Sequence, residues 1–331
     1  MKISFIAEND WANVLTEYSY CLNKHGEDIE SRSICFRPHP FNYKIQHDYD
    51  LESCSVEERQ EARKFLEESD VIIFGEEGHP LEPTYRTLKE FGNLLGLDFL
   101  NSNKKLCIWH PGSHYRQNYN FYNNHPLRGK IYKHFYTMGL YRLSQKSEDD
   151  YPLFPYQYND FNFQDYVENL SLKLNTSDRL ITHIPSKPGV KGTYEINQII
   201  NSINLSKYNF NYEWYTQITN AQSIDIKKTS LIYIDQFSPK LQGGYGIASL
   251  EAILNSNLTF STINSEVYEA FYKITNSNEI PVIPLGNTIK EMDINLNHYL
   301  KLSNDSLFEI GYSKGKWIDN HLTPKNIVKF I

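Results

Sequence analysis

Short apolar runs alternate with amphipathic stretches along the first half of the chain. An apolar run of this length, bounded by polar or turn residues, fits a buried strand. The runs are residues 2–7, 33–36, 71–74 and 105–109. The stretches with apolar positions at helical spacing are residues 11–24, 56–69 and 87–95, and Gly26 just past the first is a stop signal. This alternation predicts a parallel sheet with helices on both faces.

The same alternation returns in the second half, after a segment of weak periodicity. Residues 146–178 are rich in Asp, Asn, Tyr and Pro, and we interpret them as the crossing between two domains. The predicted strands beyond it are 180–184, 209–215, 230–235, 258–261 and 280–283, and the predicted helices are 193–203 and 247–255, with two more near the end. We predict domains at residues 1–160 and 161–315, and a final segment at 316–331.

Composition agrees with two folded domains and narrows the class of protein. The 331 residues suit two domains of about 150 residues each, and 40% hydrophobic residues exclude wholesale disorder. No apolar run approaches the roughly 18 residues of a membrane span. A net charge of -7 weighs against nucleic acid as the main partner. The four cysteines are widely spaced and no secretory signal is visible, so we expect a cytoplasmic protein with reduced thiols.

A glycine-rich loop follows the predicted strand 230–235. The strand ends at Asp235, and the loop carries Gly243, Gly244, Tyr245 and Gly246 before a helix that starts near Ile247. Glycines let the backbone approach a ligand closely, and a helix N-terminus favours a phosphate. Glu251, one turn into the helix, suits the paired hydroxyls of a ribose. The alternative is a glycine turn before an ordinary amphipathic helix with an exposed glutamate.

A second loop, after the predicted strand 180–184, has residue types that bind phosphate. It carries Ser186, Lys187, Lys191 and Gly192, and Lys191 could neutralise a diphosphate as a point charge. The spacing does not match a Walker A motif. The alternative is a solvated basic turn in which Thr193 caps the next helix.

Together these two loops resemble the donor site of GT-B glycosyltransferases, most closely family 4. Lys191-Gly192 matches the pair that grips the nucleotide diphosphate in that family, and Gly244-Tyr-Gly246 with Glu251-Ala252 matches the later loop and ribose glutamate. The resemblance covers residues 179–331. It implies an α/β fold of two Rossmann-like domains facing across a cleft, with a C-terminal helix crossing back to the first. It also implies a nucleotide-diphosphate sugar as co-substrate, retention of the anomeric configuration and no metal.

The sequence departs from the family pattern at two positions. Gly243 stands where the family often has a second glutamate that contacts the transferred sugar. Ser186 stands where an arginine is expected, and Lys187 or Arg179 are the candidate substitutes. We predict that Asp235 or the glycine-loop N–H groups take over the sugar contacts.

Loops of the first half supply the candidate catalytic and acceptor-side residues. His110 follows a buried strand and begins a His-x-Gly-Ser…Arg loop, which resembles the loop found at this place in many of these enzymes. We predict that His110 and Lys191 act in catalysis. The alternative for His110 is a hydrogen-bonded histidine in a capped turn. The predicted acceptor-side residues are Asn9, Asp10, Trp11, Asn13, His79, Gly112, Ser113 and Arg116.

These residues favour a metal-independent glycosyltransferase with a glycan or polysaccharide as the acceptor. Modified DNA is a less favoured acceptor. A nucleotide-sugar epimerase and a domain that binds a nucleotide or glycan without turnover are the alternatives of other classes. We find no ligand spacing typical of a metal site and no Gly-x-Ser-x-Gly elbow of a hydrolase. The sequence makes no prediction of the oligomeric state.

Overall fold

A computed structural model describes the protein at residues 1–37, 43–76, 86–99, 101–110, 113–154, 156, 160–238 and 244–330. The chain divides into two compact units. The first consists of residues 1–158 together with 324–331, and the second of residues 159–323.

The first unit contains a seven-stranded parallel sheet. Its strands are β1 (Lys2–Ala7), β2 (Glu30–Cys35), β3 (Tyr49–Asp50), β4 (Val71–Gly75), β5 (Lys105–His110), β6 (Lys133–Thr137) and β7 (Asp150–Leu153). They lie in the order β3-β2-β1-β4-β5-β6-β7, and every pair is parallel. The helices that connect them are α1 (Val14–His25), α2 (Val56–Glu68), α3 (Arg86–Leu95) and α4 (Ser113–Asn124).

The second unit contains a five-stranded parallel sheet. Its strands are β8 (Arg179–His183), β9 (Phe210–Trp214), β10 (Ile232–Gln236), β11 (Leu258–Ser261) and β12 (Ile283–Pro284), in the order β12-β11-β10-β8-β9. Its helices are α5 (Phe163–Leu174), α6 (Pro188–Lys191), α7 (Thr193–Ser202), α8 (Asn220–Thr229), α9 (Ile247–Leu254), α10 (Ser265–Thr275), α11 (Ile289–Leu300) and α12 (Asn304–His321). The predicted α/β class with two Rossmann-like parallel sheets is confirmed.

Both sheets reverse their direction of winding once, and this reversal fixes where loops converge. In the first sheet the chain winds from β1 to β3 on one side and continues with β4 on the other. In the second sheet it moves from β8 to β9 and then continues with β10 on the opposite side of β8. Ligands of open parallel sheets bind at the carboxyl ends of the strands beside such a switch point.

The segment interpreted as the crossing between the domains contains regular secondary structure. It contains β7 and α5, and Asn162 caps α5 by accepting hydrogen bonds from Gln164 N and Asp165 N. The boundary between the two units, at residues 158–159, lies within this segment, which was interpreted as the crossing between the domains. Helix α5 buries Tyr166, Leu170, Lys173 and Leu174 on one face, and the polar Lys173 in that face interrupts the apolar pattern of the sequence.

The C-terminal residues are shared between the units. Helix α12 lies in the second unit, where Gly315 leaves room for Tyr166: a Cβ there would come within 2.3 Å of its ring. The last helix, α13 (Pro324–Ile327), belongs to the first unit, and the Pro324 carbonyl accepts a hydrogen bond from the Cys21 thiol. The segment that returns to the first unit thus starts at Pro324, whereas the sequence prediction placed its start at residue 316.

Among the described residues, no helix combines the length and apolar character that a bilayer crossing requires. All four cysteines lie in the described ranges, and none of them forms a disulfide.

Candidate functional site

The loops after β8 and β10 meet at the switch point of the second sheet, and Lys191 lies at their junction. Its Nζ is 2.8 Å from Asp235 Oδ1 and 3.0 Å from Gln236 Oε1. The lysine side chain is 20% exposed, whereas the carboxylate of Asp235 is 1% exposed. Because an ammonium group has three N–H donors, these two contacts leave one for a ligand.

Gly192 holds the two loops in contact, and no other residue fits its position. Its φ is +68°, in the left-handed region, and a Cβ would lie 1.9 Å from the carbonyl oxygen of Phe237. The Phe237 N–H in turn donates to the carbonyl of Lys191 at 2.9 Å. The Lys191-Gly192 pair is thus fixed by close backbone packing, which explains why a glycine follows the lysine.

His183 joins the end of β8 to β10 and to α7, and the sequence reading did not single it out. Nδ1 lies 2.8 Å from the Ile234 carbonyl, and Nε2 lies 2.8 Å from Thr193 Oγ1. A carbonyl only accepts, so Nδ1 carries the proton and Nε2 accepts from the threonine hydroxyl. Burial lowers the pKa of His183 to about 4, which keeps the ring neutral. A histidine near the end of the predicted strand 180–184, just before the loop with Ser186 and Lys187, was the signal available.

The described part of the glycine loop lies beside Lys191. The Gly244 carbonyl accepts from Gln236 Nε2 at 3.2 Å and from Ser261 Oγ at 2.7 Å, and Tyr245 is buried edge-on against Phe271. Gly246 is the N-cap of α9, which starts at Ile247. A glycine has no side chain to cap the first N–H groups of a helix, so these groups can donate to an anion.

Glu251 is held in a buried ion pair. Its Oε2 lies 2.5 Å from Lys227 Nζ, its Oε1 accepts from Asn220 Nδ2 at 2.7 Å, and the residue is 3% exposed. Lys227 is 1% exposed, and the sequence reading did not identify it. The alternative in which Glu251 is an exposed helix residue is therefore wrong. For Glu251 to contact a ribose, a ribose hydroxyl would replace Asn220 as the donor to Oε1.

The remaining predicted donor residues lie at opposite ends of the strands of the second sheet. Ser186 and Lys187 are exposed in the loop after β8, on the same edge as Lys191. Arg179 starts β8 at the opposite edge, where it donates to the Tyr208 carbonyl and covers the ring of Phe210. Its suggested role as the substitute for the family arginine was wrong. Gly243 lies outside the described residues.

In the first unit, Asp10 and Asn13 follow β1, and their side chains form hydrogen bonds that stabilise the local fold. The buried carboxylate of Asp10 accepts from the N–H groups of Leu15 at 3.0 Å and Thr16 at 2.7 Å, which caps α1. Burial raises the pKa of Asp10 to about 6. Asn13, also buried, has a φ of +59° and donates to the Ile45 carbonyl at 2.8 Å. These contacts favour a structural role, and an acceptor role for either residue stays a prediction.

His110 lies inside a buried aromatic cluster. It stacks on Tyr136 with ring centroids 4.9 Å apart, contacts Tyr115 and Tyr122, and is 1% exposed. Contact with a sugar would require this ring to become exposed, so the packing favours a structural role. Its catalytic role remains a prediction.

The other acceptor-side candidates are less informative. Asn9 follows β1 and is half-buried, and Arg116 is half-buried in α4. His79 and Gly112 lie outside the described residues, as do the side chains of Trp11 and Ser113. Over the part of the chain that the structure describes, no group of three or more His, Cys, Asp or Glu residues is arranged to hold a metal ion.

Comparison with known proteins identifies the fold. No family model and no curated protein matches the chain. The crystal structure of Alr3699/HepE from Anabaena in complex with UDP and glucose is similar with a TM-score of 0.62 and 9% identity, over 100% of this chain and 98% of that one. The catalytic domain of starch synthase IV from Arabidopsis thaliana, bound to ADP and acarbose, is similar with a TM-score of 0.55 and 10% identity, over 99% of each chain. The chain therefore has the two-domain Rossmann-like fold of the GT-B type.

Proposed function

We propose that the protein is a glycosyltransferase that moves a sugar from a nucleotide-diphosphate sugar to an acceptor hydroxyl. The single observation that carries this proposal is the position of Lys191. It is a partly exposed ammonium group at the switch point of the second sheet, fixed by Asp235 and Gln236, with one N–H left for a ligand. The GT-B fold and the uncapped start of α9 support the same conclusion.

The chemistry that this arrangement suits is departure of a nucleoside diphosphate. When the bond between the sugar and the diphosphate breaks, negative charge develops on the phosphate that was joined to the sugar. The remaining N–H of Lys191 and the first N–H groups of α9 would donate to that phosphate. Donors that are already oriented stabilise this charge without reorganisation, which is the main contribution we assign to the protein.

The ribose and sugar contacts are part of the same proposal. Glu251 would accept from the ribose hydroxyls in exchange for Asn220, and Ser186, Lys187 and the described glycine-loop residues would line the donor. By its resemblance to family 4 the enzyme would retain the anomeric configuration and need no metal. A glycan is the proposed acceptor, modified DNA is the less favoured one, and the proposed location is the cytoplasm.

Titration calorimetry with UDP, ADP and GDP, each compared with its monophosphate, tests the donor site. We expect one diphosphate to bind more tightly than its monophosphate. Lys191→Ala should weaken that diphosphate by about 30-fold, the value of one strong charge-assisted hydrogen bond. Lys228→Ala is the matched control, because Lys228 is an exposed lysine paired only with Asp225 in a surface ion pair. Equal weakening by both variants, or no nucleotide binding, would contradict the proposal.

Turnover is tested with the corresponding nucleotide sugars in the presence of EDTA. We expect slow hydrolysis of one donor, and faster release of the diphosphate when a glycan acceptor is added. Proton NMR of the first-formed product then reports the anomeric configuration. Interconversion of the donor sugar without release of diphosphate would instead identify an epimerase, and binding without any turnover would identify a non-catalytic domain.

A further inference from the structure

Each oxygen of the Asp235 carboxylate accepts a hydrogen bond, and the two donors come from different elements. Oδ1 accepts from Lys191 Nζ at 2.8 Å, and Oδ2 accepts from Ser249 Oγ in α9 at 2.7 Å. Both Asp235 and Ser249 are buried, at 1% and 0% exposure. A direct contact with a sugar would need an accessible oxygen, so this geometry does not favour the sugar contact predicted from the sequence.

The last residues of β10 and the residue after it hold both the backbone carbonyl and the ammonium group of Lys191. Its carbonyl accepts from the Phe237 N–H, and its Nζ donates to Asp235 and Gln236. Lysine is among the most flexible side chains, so a lone surface lysine would have to be ordered when a ligand binds. Here the ordering is already accomplished before the ligand arrives.

Gln236 extends these contacts to the glycine loop. Its Oε1 accepts from Lys191 at 3.0 Å while its Nε2 donates to the Gly244 carbonyl at 3.2 Å. Ser249 likewise ties Asp235 to the first turn of α9. The lysine is therefore connected on two sides to the segment whose backbone N–H groups would face the same phosphate.

A different function for Asp235 would be to compete with the phosphate for Lys191. In that case the ligand would displace Asp235 and leave a buried carboxylate without its counter-charge. Loss of one partner from a buried ion pair is strongly unfavourable. The 1% exposure of Asp235 and its second bond to Ser249 keep it from following the ligand or turning to solvent. The pair is therefore expected to persist when the ligand binds.

We propose that Asp235 is a positioning residue that aims the third N–H of Lys191 at the sugar-linked phosphate, and that Ser249 and Gln236 are its supports. This inference rests on the proposed function. It predicts that these residues determine how the protein discriminates a nucleoside diphosphate from a monophosphate. A monophosphate lacks the phosphate at which Lys191 is aimed, so its affinity should be insensitive to them.

The test is titration of the full chain with the preferred nucleoside diphosphate and its monophosphate. Asp235→Asn should weaken the diphosphate about tenfold and Ser249→Ala about threefold, from the loss of hydrogen bonds to a charged group, with the monophosphate within about twofold of wild type. Ser171→Ala is the control, because Ser171 is a helical serine of α5 that bonds only to the Val167 carbonyl of its own helix. If Asp235→Asn does not fold, Ser249→Ala decides.

The outcomes separate this inference from the proposed function. Tighter diphosphate binding in Asp235→Asn would identify a competitor and overturn the inference. Parallel weakening of both nucleotides would indicate a merely structural role and would also overturn it. Wild-type protein that does not prefer the diphosphate, or a Lys191→Ala variant that keeps the preference, would instead contradict the proposed function.

Discussion

The carboxyl edges of the two sheets, where the parallel strands end, have the same arrangement of loops and helices. They differ in whether their polar side chains remain accessible to a ligand. Each edge has one switch point, flanked by loops that lead into helices. At the second edge Lys191 is 20% exposed and has a donor left for a ligand. At the first edge Asp10 is fully buried as a helix cap, and His110 is 1% exposed within an aromatic cluster. Polar residues after a parallel strand therefore mark a ligand site only where the local fold has not already used their hydrogen-bonding groups.

Backbone conformation explains why the two edges diverge. After β1, Ala12 and Asn13 both adopt positive φ, and this turn brings the Asp10 side chain back onto the N–H groups of α1. Before α9, the N-cap is Gly246, which has no side chain to do the same. One helix start is thus closed by its own sequence, whereas the other can accept an anion.

The largest expected effect comes from the buried pair at the second edge. Glu251→Gln leaves Lys227 buried without a counter-charge, which should lower the free energy of unfolding by about 3–5 kcal/mol. Adding Lys227→Met should recover much of that loss. Asp225→Asn, which breaks the exposed pair with Lys228 on the same helix, should change the free energy by less than about 1 kcal/mol. Urea unfolding of the full chain compares these three variants with wild type, and equal effects of Glu251→Gln and Asp225→Asn would contradict the buried pairing.

Gly192→Ala should come next, at about 3 kcal/mol, because the new Cβ would meet the Phe237 carbonyl in a backbone conformation that favours glycine. Gly189→Ala in the short helix α6 is the matched control, since a Cβ there would meet no other described part of the chain within 4 Å beyond its neighbours and its own helix. Nucleotide affinity should fall only in Gly192→Ala. Similar behaviour of the two variants in urea unfolding and calorimetry would rule out the close contact between the loops.

The two edges should also respond to pH with opposite signs. The unfolded chain protonates His183 near pH 6.5 but the folded chain only near its pKa of about 4, so this residue lowers stability on acidification, by up to about 3 kcal/mol. Asp10 has a raised pKa of about 6 when folded, so its contribution is present below pH 3.8 and is lost as the pH rises to about 6. Unfolding of wild type, His183→Gln and Asp10→Asn between pH 4 and 7 measures both. Removal of either residue should take away a dependence of the stated sign, and slopes of the same sign would contradict it.

The smallest expected effect is that of His110→Phe on nucleotide affinity. The ring is buried among Tyr115, Tyr122 and Tyr136, so the aromatic replacement should leave diphosphate binding within about twofold of wild type. Calorimetry measures it beside Lys191→Ala. Comparable losses in the two variants would mean that both edges contribute to nucleotide binding, and the contrast between them would not hold.

The hydrophobic pattern predicted much of the fold, and its failures have physical causes. β1, β4 and β11 were placed within a residue because each is a short segment built around strand-forming apolar residues, such as Ile72 in β4 and Phe260 in β11. β6 and α5 were missed because polar residues occupy some of their buried positions, His134 in β6 and Lys173 in α5, which interrupts the apolar pattern.

The candidate site was predictable in its position and less so in its partners. Lys191, Gly192 and Gly246 could be predicted because they form local sequence patterns. A glycine beside a lysine, or just before a helix, is typical of a loop that binds phosphate. Lys227 and His183 were missed because their roles depend on contacts with Glu251 and Thr193 that only the tertiary structure creates. The burial of His110 could not be predicted either, because it also depends on tertiary contacts.

A crystal structure of the protein with its preferred nucleoside diphosphate tests the central claim most directly. We expect the terminal phosphate to lie against Lys191 Nζ and the first N–H groups of α9, with the Lys191–Asp235 pair still intact. Density for the diphosphate at the carboxyl edge of the first sheet, or on the second sheet away from Lys191, would contradict it.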